Sequence, residues 1–395
     1  MKFAKRMEAL KASEIREILK LIENPEIISF AGGLPAPELF PVKEMVDVSK
    51  RVLEEDGEKA LQYSSTEGYL PLREKIAKRM EEVGVKTTAD NILITSGSQQ
   101  GLDFSGKVFL NEGDVVLCES PSYLGAINAL KSYSPQFVEI DTDHEGMNME
   151  ELEKVLKERD NIKMIYVIPD FQNPSGRTWS IERRKRLIEL ANEFDLPVIE
   201  DNPYGELRFE GERPPSVKSF DTQGRVIYLG TFSKIFCPGL RVGWTLGDGE
   251  ALQKYIFVKQ GADLHTNTLT QREINKFMEV YSIDEHIEKI KDVYRKRGDV
   301  MMEAIKEYFP KVVKYTYPEG GLFTWCELPE GMDAKEVFKK SIEEKVAFVP
   351  GGSFYPNGGK DNTFRLNYSM MSEDKIQEGI QRLGKVLELE IQKKA

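Results

Sequence analysis

The stretch VIYLGTFSKIFCPGLRVGW, residues 226–244, decides the fold. It opens on a short apolar run of β-forming residues, breaks at Gly230, and turns polar at Thr231, Ser233 and Lys234. An apolar run of that length bounded by a turn signal reads as a strand buried on both faces, as in a parallel sheet. Phe232, Ile235 and Phe236 surround Lys234 with apolar character, and Arg241 follows seven residues later between Gly239 and Gly243.

Working outward, the same pattern recurs. The runs NILITSG, VVLCES, QFVEID, IKMIYVIP, LPVIED, RVIYLGT and RVGWTLG alternate with amphipathic stretches such as MEELEKVLKE and SIERRKRLIELANEF. Strands alternating with helices predict an α/β fold with a mostly parallel sheet. After about residue 295 the order changes to a long charged helix, KYTYPEGGLFTWCEL, the helix EVFKKSIEEK, short strands in AFVPGG and TFRLNYS, and a last helix, which predicts an α+β companion domain. Near the N-terminus Ile15, Ile18, Leu19 and Ile22 fall on one face of a short amphipathic helix.

Composition narrows the function. The 395 residues carry a formal charge of -11, which argues against binding a phosphate backbone. Three cysteines, Cys118, Cys237 and Cys326, include no CxxC pair, and His144, His265 and His286 have no metal-ligand spacing. Neither a disulfide framework nor a metal site is expected. No apolar run approaches membrane-spanning length and the N-terminus is charged throughout, so the expected location is cytoplasmic.

Four polar clusters sit immediately after predicted strands: SGSQQ, PDFQNPSG, EDNPYG and TFSK. In an open α/β sheet ligands bind beyond the carboxyl ends of the strands, so the four converge on one crevice. Ser96, Gly97, Ser98 and Gln99 open a helix whose N–H groups suit a phosphate, although an ordinary serine cap gives the same pattern. Asp201 could hold a ring nitrogen protonated, or be a turn-forming residue before Asn-Pro; Asn173 could bind a ring hydroxyl or start a turn of the same kind. Lys234, if partly buried, has a lowered pKa and an amine available for a Schiff base, where a solvated surface lysine is the alternative. Arg241, with Thr231 and Ser233, could surround an anion, or the arginine could pair a core carboxylate. A phosphate cradle, an acid for a ring nitrogen, a hydroxyl partner and a Schiff-base lysine together match pyridoxal phosphate, and no GxGxxG suggests a nicotinamide fold.

At these residues the chain resembles the fold-type I, class I aminotransferases over nearly its whole length. The motifs are AGGLPAPELFP, LQYSSTEGYLPLRE, ITSGSQQGLD, ESPSYLGA, PDFQNPSGRT, EDNPYGELRF, TFSKIFCPGLRVGW, KQGADLHTN, PEGGLFTWCELP, VAFVPGGSF and NTFRLNYS. AGGLPAPELFP, GSQQGLD and KQGADLHTN are most similar to the subgroup of 2-aminoadipate and kynurenine aminotransferases. The resemblance implies an N-terminal helix and joining segment over residues 1–42, a large cofactor-binding domain with a mostly parallel seven-stranded sheet over 43–295, and a small α+β domain over 296–395. It implies that Lys234 carries pyridoxal phosphate, that Asp201 pairs with the pyridine nitrogen, and that Asn173 and Tyr204 bind the ring hydroxyl. Tyr123 would stack on the ring, while Ser98, Gln99, Thr231, Ser233 and Arg241 surround the phosphate. Thr231 stands where close relatives often have serine. Tyr63 would reach the phosphate of a neighbouring subunit, so the resemblance implies a homodimer with shared sites.

The alternation in TFRLNYS puts Arg365 opposite the apolar face, which alone would read as a solvent-facing arginine. The resemblance makes it the clamp for a substrate α-carboxylate, with Gly33 in a loop closing over substrate. Arg16 stands where 2-aminoadipate aminotransferases carry an arginine for a distal carboxylate; a solvated helix arginine is the alternative. The implied reaction is transamination of a 2-aminoadipate, aromatic, kynurenine or branched-chain donor, with 2-oxoglutarate as acceptor. Two rivals use the same fold: a lyase or decarboxylase, and a cofactor-binding regulator. The match begins within the first few tens of residues, leaving no room for a preceding DNA-binding module, and the acidic charge agrees.

Overall fold

The computed structural model describes residues 1–9 and 24–394. The helix expected around residues 15–22, with Arg16, lies outside the described residues. After β1 (Ile28–Ser29) come β2 (Ile92–Thr95), β3 (Val115–Ser120), β4 (Gln136–Asp143), β5 (Gly146–Met147), β6 (Ile162–Val167), β7 (Val198–Asp201), β8 (Val226–Thr231) and β9 (Gly243–Leu246). The C-terminal part adds β10 (Lys314–Tyr315), β11 (Phe323–Glu327), β12 (Val346–Ala347), β13 (Val349–Pro350) and β14 (Thr363–Asn367). The helices are α1 (Val42–Ala60), α2 (Leu70–Met80), α3 (Ser98–Phe109), α4 (Leu124–Lys131), α5 (Met149–Glu158), α6 (Ile181–Glu193), α7 (Gly249–Ala262), α8 (Thr268–Val280), α9 (Ile283–Tyr308), α10 (Ala334–Glu343) and α11 (Glu373–Gln392).

All seven apolar runs are strands of one sheet, in the order β2-β9-β8-β7-β6-β3-β4, extended by the two-residue β5 folding back on β4. Only β5 and β9 oppose the others; β9 is antiparallel to both β2 and β8. The segment from Phe232 to Val242 that joins β8 to β9 is too short for a helical crossover, so the chain must reverse.

Helices cover both faces because successive strand residues point opposite ways. Val198 and Val226 pack with Leu187 and Ile188 of α6, while their neighbours Ile199 and Ile227 pack with Leu102 and Phe104 of α3 and Tyr255 of α7. Each such side chain contributes about 1.5–3 kcal/mol when fully buried. Local signals set the helix starts: the Asn148 side chain accepts from Glu150 N and Glu151 N at the head of α5, and Ser180 caps α6 through Arg183 N.

The C-terminal strands form a second sheet, β10-β11-β14-β13, antiparallel throughout, with α9 and α11 packed together beside it. β1 pairs in parallel with β12, joining the segment after the N-terminus to this part of the chain. Every residue of β14 is buried, so the solvent-facing reading of Arg365 fails. Its polar face is covered by the segment at Ala31 and the loop at Asn173. Among the described residues no helix is long and apolar enough to cross a membrane.

Candidate active site

β2, β6, β7 and β8 run the same way, so their carboxyl ends deliver SGSQQ, PDFQNPSG, EDNPYG and TFSK to one edge of the sheet. Lys234 leaves β8 between the buried side chains of Phe232, Ile235 and Phe236, and its Nζ donates to Gly33 O at 2.8 Å. Burial, helped by the nearby Arg365 and Arg241 charges, pulls its pKa from 10.5 down to about 8. The half-buried, hydrogen-bonded side chain favours the enclosed reading over a solvated surface lysine.

Asp201, 1% exposed at the end of β7, accepts a hydrogen bond from Tyr166 Oη at 3.0 Å through Oδ2. Its Oδ1 is buried and meets no donor among the described residues. Burial pushes the carboxyl up to about 7, with the Tyr166 hydrogen bond acting in the other direction. A buried acceptor without a donor is costly, and none of the described residues supplies one.

Asn173 bridges two other candidates. Its Nδ2 donates to Tyr204 Oη at 3.3 Å, and its Oδ1 accepts from Arg365 Nη1 at 2.7 Å. Arg365 Nη2 donates to Ala31 O at 2.7 Å, and the guanidinium lies 4.2 Å from the Phe323 ring centre and 5.2 Å from that of Phe354. Burial lowers its pKa to about 10, which leaves it cationic near neutrality. Its Nε meets no acceptor among the described residues.

The residues expected to cradle an anion come together where β2 meets α3. Gly97 has φ +75°, and a Cβ there would stand 2.4 Å from Arg241 Nη2. A Cβ on Gly243 would meet Ser98 N at 2.7 Å, so backbone crowding requires glycine there, as the positive φ does at Gly97. α3 begins at Ser98 without a side-chain cap, leaving first-turn N–H groups for an anion. Thr231 Oγ1 lies 3.0 Å from Ser233 Oγ, which accepts from Arg241 Nη1 at 3.4 Å. The Gln99 side chain donates through Nε2 to Gly125 O at 2.9 Å. The half-buried Tyr123 lays its ring over Gly125, and burial with the Asp201 charge raises its pKa to about 12.

Tyr63 stands apart. It is 79% exposed, its ring meets His265 edge-on at 5.8 Å, and it makes no hydrogen bond or ring contact with the other candidate residues among the described residues. Tyr166, Phe323 and Phe354 escaped the sequence reading. Tyr166 carried a signal: it is the one side chain with a polar tip in MIYVI, and its register partner Ile199 lies two residues before Asp201, on the same face of β7.

Residues 26–383 match the family "Aminotransferase class I and II". The chain belongs to that family. It is 47% identical to aromatic-amino-acid aminotransferase 1 of Thermococcus litoralis, over 99% of this chain and 95% of that protein. The aminotransferase also superposes on Pyrococcus horikoshii kynurenine aminotransferase, solved in complex with PMP, with a TM-score of 0.95 and 45% identity over 98% of this chain and 97% of that one. For the α-aminoadipate aminotransferase of Thermus thermophilus, complexed with N-(5'-phosphopyridoxyl)-L-leucine, the TM-score is 0.92 at 46% identity, over 99% and 98% of the two chains. The fold is therefore fold-type I, and the aminotransferase is an enzyme that uses pyridoxal phosphate to transaminate an amino acid. Its residues fit that cofactor: an orphaned buried carboxylate oxygen, a desolvated lysine and a glycine-built anion cradle lie at one sheet edge.

Proposed function

We propose that this aminotransferase moves the amino group of a 2-aminoadipate, aromatic, kynurenine or branched-chain donor onto 2-oxoglutarate, in the cytoplasm, as a homodimer with shared sites. The observation that carries the reading is Arg365. A buried guanidinium close to two rings, with an Nε that meets no acceptor among the described residues and tied through Asn173 to the cofactor crevice, suits an α-carboxylate. The names of the relatives support the donor classes. Exposed Leu61, Tyr63 and Leu264 support a second copy on that face, and three unpaired cysteines agree with a reducing compartment.

In this reading Asp201 holds the protonated ring nitrogen of the cofactor through Oδ1, while Asn173 and Tyr204 take the ring hydroxyl. Ser98, Gln99, Thr231, Ser233 and Arg241 hold the phosphate, with Tyr63 of a second copy completing that site. Tyr123 covers one ring face. The bound cofactor supplies an electron sink for the pair released from Cα. Lys234 Nζ, whose free base is populated near neutrality, would take the Cα proton. Arg365 fixes the donor's carboxylate so that the Cα–H bond, and not the bond to the carboxyl carbon, faces Lys234. The segment at Gly33 closes over the donor and excludes water. Residues 43–295 form the cofactor-binding domain in this reading and 296–395 the small domain, with 1–42 joining the latter.

The experiment is an absorbance titration of the loaded protein with glutamate, 2-aminoadipate, leucine, phenylalanine and kynurenine, each followed by 2-oxoglutarate. A spectral conversion reversed by 2-oxoglutarate is the expected result; release of ammonia or carbon dioxide without reversal would refute it. Arg16→Ala should weaken acidic donors and spare aromatic and aliphatic ones, whereas equal loss for all donors would remove Arg16 from the site.

A further inference from the structure

The motif KQGADLHTN, residues 259–267, has no part in the chemistry above. Its first residue, Lys259 at the end of α7, has a fully buried side chain. The ammonium donates to Gln100 Oε1 at 2.8 Å, to Asp263 Oδ1 and Oδ2 at 2.9 and 3.1 Å, and to Thr266 Oγ1 at 3.0 Å. Two of those acceptors also hold the anion cradle. Gln100 Oε1 accepts from Ser96 N at 2.9 Å, and Asp263 Oδ2 accepts from Ser96 Oγ at 3.1 Å and from Gln100 Nε2 at 2.8 Å. Both donors of Ser96 thus end on groups that Lys259 gathers, while Ser96 O accepts from Arg241 Nη2 at 3.4 Å.

The same network continues away from the crevice. Thr266 O accepts from Gln271 Nε2 at 2.8 Å, and Gln271 Oε1 accepts from Tyr69 N, also at 2.8 Å. Thr268 Oγ1 donates to Gln62 O at 3.4 Å, and the His265 ring touches Tyr63. Segment 62–69 thus meets loop 265–268, whose Thr266 is bonded to the same ammonium that gathers the partners of Ser96.

We propose that Lys259 is a positioning residue that holds Ser96–Gly97–Ser98 in the shape receiving the cofactor phosphate and ties that shape to the Tyr63 edge. Packing alone does not explain it, since an apolar side chain fills the same volume without the desolvation cost of an ammonium. What an apolar side chain cannot do is orient Gln100, Asp263 and Thr266 at once. The link to Tyr63 rests on the shared-site dimer proposed above; the hold on the cradle does not. By reciprocity, if pairing of two copies orders the Tyr63 edge, cofactor binding and pairing strengthen each other through this network.

The test compares the full chain, stripped of cofactor, with Lys259→Met for binding of pyridoxal phosphate and of pyridoxal, which lacks the phosphate. Lys259→Met is expected to weaken pyridoxal phosphate at least tenfold and pyridoxal less than twofold. Equal weakening of both, the signature of a merely structural lysine, or no weakening of either, overturns the proposal. Should Lys259→Met fail to fold, Asp263→Asn, at a side chain 31% exposed, breaks the same pair from the rim and is held to the same selectivity. Sedimentation then measures dimer dissociation with and without pyridoxal phosphate. The cofactor should tighten the wild-type dimer and tighten the variant less; equal tightening overturns the link to Tyr63. A wild-type chain that stays monomeric at saturating cofactor overturns the dimer reading and that link together, while the phosphate selectivity still decides the role of Lys259 in the cradle.

Discussion

Replacing Lys234 with methionine should abolish transamination and yet stabilise the cofactor-free chain at neutral pH. Burial holds the lysine's pKa at about 8 in the folded chain against 10.5 ordinarily, so between those values the unfolded chain binds the proton and the folded chain does not. Stability therefore rises as pH climbs from 8 to 10.5, and the whole penalty stands below 8. The gap is worth about 3 kcal/mol at pH 7 and under about 1 kcal/mol at pH 10. Methionine has similar length and carries no charge, so it removes that penalty. It also removes the donor to Gly33 O, a loss of about 1 kcal/mol. The net expectation is a gain of about 2 kcal/mol at pH 7 that disappears near pH 10. Urea denaturation of wild type and Lys234→Met without cofactor, at both pH values and one protein concentration, measures it. A variant no more stable than wild type at pH 7, or a difference that does not move with pH, would refute the claim that the lysine is held desolvated.

Three further outcomes are expected. Arg365→Lys keeps the charge but loses the planar fork, and should lower kcat/KM by about a hundredfold, about 3 kcal/mol, in steady-state assays with any donor. Tyr63→Ala and Lys234→Met, each inactive alone, should regain activity when mixed under conditions that exchange subunits, because one site of the hybrid then carries both native residues; absence of recovery argues that Tyr63 serves its own chain or none. Asp170→Asn leaves the fully buried Arg184 without its counter-charge and should cost about 3–5 kcal/mol in urea denaturation.

The large sheet was legible because its central strands are buried on both faces, so continuous apolar runs such as VVLCES and VIYLG needed no tertiary context, while β4, near the edge, is only partly buried. The sequence-based expectation of a mostly parallel sheet holds, and β9 reverses where the connection is short. Lys234 and Asp201 were legible for a related reason: a charged residue at the exit of a buried strand stands at the crevice where an open α/β sheet takes its ligand. Arg365 was not legible from its own strand. Alternation in TFRLNYS says only that the arginine and the apolar residues face opposite ways, and what covers its face comes from Ala31 and Asn173, each more than 190 positions away. Tyr166 was hidden by its apolar body, since only the register against β7 brings its hydroxyl to Asp201. The network under Lys259 joins residues that sequence reading assigned to separate elements, and a lysine at a helix end ordinarily reads as solvated.

The physical character of the site lies in what causes its perturbed charges. Lys234 and Asp201 are shifted toward neutrality chiefly by burial, not by pairing with each other, and Arg365 is lowered by burial too. A fold optimised for stability alone would pair such groups or replace them with apolar residues. Here the donors and acceptors left open, Asp201 Oδ1 and Arg365 Nε, have the complementary polarities of a protonated ring nitrogen and a carboxylate. A ligand carrying both would relieve two desolvation costs at once, and its binding energy is to that extent already stored in the folded chain. In the proposed reaction the same burial that costs stability leaves part of the lysine as free base near neutrality, able to take a proton. Reactivity and marginal stability at this sheet edge therefore have one cause, which is why removing the lysine's charge should change both in opposite directions.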